Sequence, residues 1–356
     1  MSTLTAPKIN ITFAELGRSA IARGTKGVVA LIVRDSAAVP PAVLTQADQT
    51  PAKLGKDNQA YIRRAFLGYS APPKRVIVYT APEEDDLTDA LTYMATQDFD
   101  YLAGPVDCDE ADAAAIASWV MSQRKESGAK YKAVLPNHAA DKYPIVNFAT
   151  DSLQVGSVTY SAAEYCSRIA GLLAGTPMRI SATYAPLPEV TDVARMTSAE
   201  RDAAVGRGEL IAYWDGRKVK LSRAVNSLTT TGDGVGDNFK KIKIVEIMDL
   251  MRNDITATVE DEYIGKHVND YDGKLLLLTA IRGYLMGLAG DKLIRADYSV
   301  EIDVEAQAAY LASIGTDPSE MTDQQIKEAD TGTHVFIAVS CKILDSVEDV
   351  TLSITI

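Results

Sequence analysis

Short apolar strands that recur about every thirty residues, with an amphipathic helix in each interval, restrict the first half of this chain to a mainly parallel α/β sheet. Gly27-Val28-Val29-Ala30-Leu31-Ile32-Val33 is an unbroken apolar strand, and a helix is expected from Asp57 to Tyr69. Arg75 to Thr80 is the next strand, followed by a helix that carries Leu87, Leu91 and Met94 on one face. Phe99 to Ala103, Lys130 to Leu135 and Ile145 to Phe148 are further strands, and the helix from Asp109 to Glu126 is expected to turn Ala113, Ile116, Val120 and Met121 inward. Ser161-x-x-Glu164 has capping-box spacing and opens a helix that ends near Gly175-Thr176-Pro177.

The pattern changes between Met178 and Val193, where Pro186 and Pro188 fall, and a domain boundary is expected there. Beyond it, Glu209 to Trp214 and Arg217 to Leu221 flank Asp215-Gly216, the sequence preference of a hairpin with a type I′ turn. Two long helices follow. The first lines Ile244, Ile247, Met248, Met251, Ile255 and Val259 on one face; the second, Leu275 to Leu288, is apolar nearly all round and is expected to be buried. Strands over Tyr298 to Val304 and His334 to Leu344, separated by a helix opened by Thr322-x-x-Gln325, make this second region α+β.

Charge narrows the partners. With 48 acidic and 36 basic residues the net charge is −12, which disfavours nucleic acid and anionic membrane surfaces, since both need a basic face. At 356 residues, 47% of them hydrophobic, there is material for two domains with full cores. Met1 to Pro7 shows no basic region leading into an apolar run, so no secretory signal is expected, and no apolar stretch is long enough to span a bilayer. Cys108, Cys166 and Cys341 are widely spaced and in no Cys-x-x-Cys pair, the pattern of reduced core thiols in a protein made in the cytosol.

Catalytic signals are missing. His138, His267 and His334 lie in no metal-ligand spacing, and there is neither a nucleophile elbow nor a phosphate loop. Gly232-Asp233-Gly234-Val235-Gly236 reads as a flexible loop, and the carboxylates from Asp107 to Asp112 read as an acidic helix start rather than a calcium loop. No cofactor, metal or catalytic residue is expected.

The two ends carry the remaining signal. Val350, Leu352, Ile354 and Ile356 alternate with Thr351, Ser353 and Thr355, and Ile9-Asn10-Ile11-Thr12-Phe13 alternates in the same way. Such strands either close a sheet within the subunit or enter a neighbour. Asp345-Ser346-Val347-Glu348-Asp349 precedes the C-terminal strand as an acidic stretch suited to a hinge or extended linker.

The ordered set of segments resembles a known family. Pro7-x-Ile9-Asn10-Ile11-x-Phe13, Arg23-Gly24-x-x-Gly27-Val28-Val29-Ala30, and the run Val225-Asn226-Ser227-Leu228-Thr229-Thr230 carry the likeness. With them go the helix bearing Asp249, Asn253, Asp254 and Ile255, the segment Gly265-Lys266-x-x-Asn269-Asp270, and the C-terminal ending. The chain resembles the tail sheath proteins of contractile phage tails and of headless bacteriocin particles, in the short form of phages and prophages of Gram-positive bacteria.

The resemblance implies a structural, non-enzymatic subunit. It would have an N-terminal arm over 1–22, an α/β domain of subtilisin-like fold over 23–185, an α+β domain over 186–345 and a C-terminal arm over 346–356. It implies assembly in the bacterial host cytoplasm and helical polymerisation around an inner tail tube, with baseplate and tail terminator proteins as further partners. The arm strands, Ile9 to Phe13 and Val350 to Ile356, would add to the sheets of neighbouring subunits. Lys240, Lys241 and Lys243, a basic cluster in an acidic chain, are candidates for the tube contact. Two other readings stand beside it: a cytosolic α/β enzyme binding a nucleotide or small acid near the early strand ends, and a non-contractile tail or capsid component.

Overall fold

A computed structural model of the protein describes residues 21, 26–84, 86–232 and 234–355. The expected strand from Ile9 to Phe13 lies outside the described residues, as does Ile356. The chain divides into two compact units, one formed by residues 26–253, 290–295 and 342–355, the other by 254–289 and 296–341.

The first unit is organised by a strand with no solvent face. β1 (Val28–Arg34) sends Val29, Leu31 and Val33 into one core and Val28, Ala30 and Ile32 into another, so it must lie inside a sheet covered on both sides. The other members are β2 (Ala42–Leu44), β3 (Arg75–Ala81), β4 (Tyr101–Ala103), β5 (Lys132–Pro136) and β6 (Ile145–Phe148). A small hairpin, β7 (Leu153–Val155) and β8 (Val158–Tyr160), precedes the last member, β9 (Glu209–Leu210). The order is β2-β3-β1-β4-β5-β6-β9, parallel throughout except where β2 meets β3.

Four helices cover the sheet: α1 (Lys56–Ala65), α2 (Thr88–Met94), α3 (Glu110–Glu126) and α4 (Ala162–Ala174). The first and last bury Tyr61, Ile62, Tyr165 and Ile169 against the Val29 face; the middle two bury Met94, Ile116 and Val120 against the Ala30 face. Asp109 caps α3 and Ser161 caps α4, each completing the capping box with the residue three positions on. The helices α1 and α4 touch backbone to backbone: a Cβ on Gly171 would sit 1.8 Å from the Ala65 carbonyl oxygen. Gly171→Ala is therefore expected to force the pair apart and cost about 3 kcal/mol, read as a lowered thermal midpoint.

Residues 186–253, expected in the second region, share the core of the sheet. Leu187, Val190, Leu210, Val219 and Leu221 enter the same cluster as Val29 and Ile169. Pro186 and Pro188 mark a bend that lays the chain along the hairpin, where the Leu187 amide donates to the Val219 carbonyl at 3.0 Å. After α5 (Ser198–Gly206), the strand expected over Glu209 to Trp214 breaks at Ile211: Leu210 stays in the large sheet, and β10 (Ala212–Trp214) pairs with β11 (Val219–Leu221). The register puts Gly216 and Arg217 at the turn centre, and Gly216 has φ +96° while Arg217 is not left-handed. A type I′ turn needs both centre residues left-handed, so this is not the expected I′ turn. The Asp215 carboxylate closes it by accepting the amides of Arg217 and Lys218.

The helix α6 (Ile242–Thr258) runs on into a π turn over Val259–Tyr263. The second unit then contains α7 (Tyr271–Gly290), β12 (Ser299–Ile302), α8 (Val304–Ser313), α9 (Asp323–Glu328) and β13 (Ile337–Ser340). α7 is less buried than its composition suggests, because Leu275 and Met286 face solvent.

A candidate assembly interface

β12 and β13 pair antiparallel with each other and, among the described residues, with nothing else. Val300 and Ile302 of β12 are buried, whereas β13 is largely exposed. A cavity of about 740 Å³ runs along β13, lined on that side by Val335, Ile337 and Val339. Its other walls are apolar too, with Ile255 and Val259 from α6 and its π turn, and Leu277 and Ile281 from α7.

The groove is held open by polar ties. The Asn269 side-chain amide donates to the carbonyls of Gly332 and His334 at 2.7 and 3.0 Å, fixing the loop before α7 to the approach of β13. The Lys274 ammonium, 1% exposed, donates to the carbonyls of Lys327 and Ala329, and Arg282 donates to Val300 O at 2.6 Å. Side chains at alternate positions beside a free ladder edge are what an added β-strand recognises.

The C-terminal residues have the complementary form. From 345 to 355 the chain makes no strand, and Val350, Leu352 and Ile354 are 79%, 76% and 73% exposed. Three alternating apolar side chains left in water this completely are unusual in a folded protein.

The basic cluster is placed differently from the expectation. Lys240 pairs with Asp237 at 2.9 Å and stays on the surface. Lys241 pairs with Asp345 and Glu348, and Lys243, 4% exposed, donates to Ser346 Oγ and Arg179 O. Lys241, just before α6, and Lys243, in its first turn, therefore grip the chain's own C-terminal segment.

The strand ends where an α/β enzyme would bind its ligand carry polar side chains that are paired within the chain. β3 lies on one side of β1 and β4 on the other, so the switch point is at the C-terminal ends of β1 and β4. There Arg34 forks onto Asp112 at 2.6 and 2.7 Å, and the Tyr61 hydroxyl donates to Gly104 O at 2.7 Å. Asp35 accepts the Gly55 amide and the Asn58 side chain. The α3 N-terminus spends its Asp112 amide on the Asp109 carboxylate, so that amide is not presented to a phosphate. Of the histidines, His138 faces Glu110 while His267 and His334 lie against aromatic rings. No three His, Cys, Asp or Glu side chains group as metal ligands among the described residues.

Buried charge instead serves to fix α6. Asp249 receives both Arg124 Nη2 (2.6 Å) and Lys132 Nζ (3.0 Å), and Glu246 receives Lys26 and the Tyr101 hydroxyl (2.5 Å). Asp100 accepts the Gly27 and Val28 amides at 2.7 and 2.9 Å. Burial opposes its charge, but Lys132, Lys130 and those amides outweigh burial and hold its carboxyl below the ordinary value. Asp100 thus contributes stability that is full above the unfolded carboxylate pKa near ~3.9 and is lost as pH falls through the folded value. Asp100→Asn should flatten the acid side of a plot of thermal midpoint against pH, below about pH 5.

Segments that carried the resemblance have structural work here. Asn226 donates to Phe239 O at 2.6 Å, Ser227 N donates to Ile145 O at 2.7 Å, and the amides of Thr229 and Thr230 both donate to Asp141. Tyr284 donates to Asp254 at 2.7 Å.

Residues 80–227 match the phage tail sheath protein central domain, and residues 235–356 match the phage tail sheath C-terminal domain. The chain is 37% identical over 351 residues to the tail sheath protein of Clostridium phage phiCD119, covering 97% of this chain and 98% of that one. Its fold is similar to the crystal structure of a sheath tail protein from Desulfitobacterium hafniense, with TM-score 0.71, 18% identity, and coverage of 83% of this chain and 94% of that chain. It is also similar to the sheath subunit of an extracellular contractile injection system in the contracted state, with TM-score 0.68, 12% identity, and coverage of 100% and 98%. With the match to the phage protein running nearly end to end, the chain belongs to the family of phage tail sheath proteins.

Proposed function

We propose that this protein is the repeating subunit of a contractile tail sheath, assembled in the host cytoplasm around an inner tail tube and closed by baseplate and terminator proteins. The observation that supports the reading is a matched pair within one chain. Among the described residues β13 pairs only with β12, and Val335, Ile337 and Val339 stand at alternate positions along it and its approach; the C-terminal segment, in no strand, carries Val350, Leu352 and Ile354 at the same spacing. Each subunit then offers a groove and an arm, and head-to-tail addition of this kind generates an open helical polymer rather than a closed ring when the rotation does not close. Residues Ile9 to Phe13, with the same alternation, would serve as the second arm.

Contraction needs no bound nucleotide in this scheme. The extended sheath is a metastable packing, and firing relaxes it by rigid-body rotation of subunits while the arm strands stay paired. Negative-stain microscopy of the purified protein tests the reading: tubes or striated polysheath are expected, and a discrete small oligomer at every concentration would overturn it.

A further inference from the structure

The acidic stretch before the arm has the sequence of a linker, yet in the fold it is held along its length. Glu348 has a side chain only 6% exposed, and four groups reach its carboxylate. Thr183 Oγ1 donates at 2.6 Å and Ser181 Oγ at 3.3 Å, while Lys241 Nζ and Arg223 Nε lie 3.3 and 3.5 Å away. Arg223 also pairs with Asp349, and Lys241 with Asp345. Between them, Lys243 donates to Ser346 Oγ at 3.1 Å. Upstream, the Leu344 amide donates to Leu293 O at 2.8 Å beside a bridge between Ile294 and Ile343.

Position by position, this arrangement ends at Asp349. Val350 to Thr355 are exposed and make no strand. A carboxylate is retained in a nearly dry site only when it is paired and hydrogen-bonded, so the seat around Glu348 is specific for an acid at that position. The partners lie more than a hundred positions upstream, so the stretch is ordered by the fold and not by its own sequence.

We propose that Arg223 and Lys241 are positioning residues for the C-terminal arm: with Thr183 they clamp residues 345–349, so the movable strand begins at Val350 and leaves from a fixed root. The proposal rests on reading residues 350–356 as a strand given to a neighbouring subunit. A fixed root shortens the tether and restricts the directions an arm explores, which raises its effective concentration at the neighbour's groove.

Spin labels report on the clamp without requiring assembly. In a Cys341→Ser background, which leaves Cys108 and Cys166 buried, a nitroxide is placed at V347C or at S353C. The chain is kept below its polymerisation concentration. The label at position 347 is expected to be slow and the one at 353 fast. Arg223→Gln with Lys241→Gln should speed the 347 label to match 353 and raise the critical concentration for polysheath about threefold. Arg223→Lys with Lys241→Arg, which keeps both charges, should restore both readouts. Equal mobility at 347 and 353 in the parent chain overturns the clamp. An unchanged critical concentration in the glutamine variant overturns the positioning role. If a chain ending at Asp349 polymerises like the full one, the arm reading itself falls and the positioning role falls with it; the 347 label still reports the clamp separately.

Discussion

A chain that stops after Asp349 is expected to stay dispersed at concentrations where the full chain is expected to form tubes. The magnitudes explain why so few residues decide the outcome. Burying Val350, Leu352, Ile354 and Ile356 in a neighbour gains roughly 6–12 kcal/mol. Ordering the strand costs about 1–2 kcal/mol per residue in backbone freedom, which is of the same size. Main-chain hydrogen bonds to the β13 edge add about 1 kcal/mol each and tip the balance. Each contact is therefore near neutral on its own, and polymerisation then calls for several per subunit. Leu352→Ala should remove about 2 kcal/mol per contact, roughly a thirtyfold change in its equilibrium constant, and raise the critical concentration accordingly.

Charging the groove gives the reciprocal loss. Ile337→Asp places a carboxylate on the edge where the strand would lie, and it should block polymerisation while leaving the thermal midpoint of the first unit unchanged. Mixing this variant with the chain truncated after Asp349 is expected to give pairs through the C-terminal arm, since one partner keeps that arm without its groove and the other keeps the groove without that arm. Sedimentation velocity separates the two results. Long polymers from either variant alone would count against the groove as the acceptor.

Asp249→Ala is expected to be the most damaging single substitution inside the fold. It strands two cations, Arg124 and Lys132, whose side chains are 6% and 5% exposed. Removing one partner of a buried ion pair costs about 3–5 kcal/mol, and for a unit of this size that lowers the thermal midpoint by roughly 10 °C. Arg124→Met should cost less, because Lys132 still neutralises the carboxylate at 3.0 Å and the methionine fills the space of the arginine stem. If the two substitutions prove equal in differential scanning fluorimetry, the shared carboxylate is not what holds α6.

What could be read from sequence was whatever local spacing encodes. The two-face burial of β1 follows from an unbroken apolar run, and the caps at Ser161 and Thr322 follow from a three-residue offset. The turn at Asp215 was located but misassigned, because the register depends on which residues pair across it. The misplaced boundary has a related cause: two prolines signal a bend, but only the core packing of Leu187 and Leu221 shows which side the following residues join. Contacts between distant positions leave no such trace. Nothing around Asp249 announces Arg124, 125 positions earlier. Lys240, Lys241 and Lys243 looked like one surface cluster, yet Lys241 reaches Glu348 and Lys243 reaches Ser346, both more than a hundred positions downstream. The alternation of the C-terminal residues was legible; that its neighbour Glu348 is seated in a pocket was not.

The large sheet itself ends bluntly. On one side lies β2, three residues long and antiparallel to its neighbour; on the other lies β9, with two residues. Ladders that short make poor templates for another strand. A subunit stored at high concentration before a tail is built thus offers little for off-register aggregation at the sheet margins. In the proposed scheme growth is steered toward the β12–β13 pair, and a filament made this way has a polarity: each added subunit leaves the same kind of end that received it.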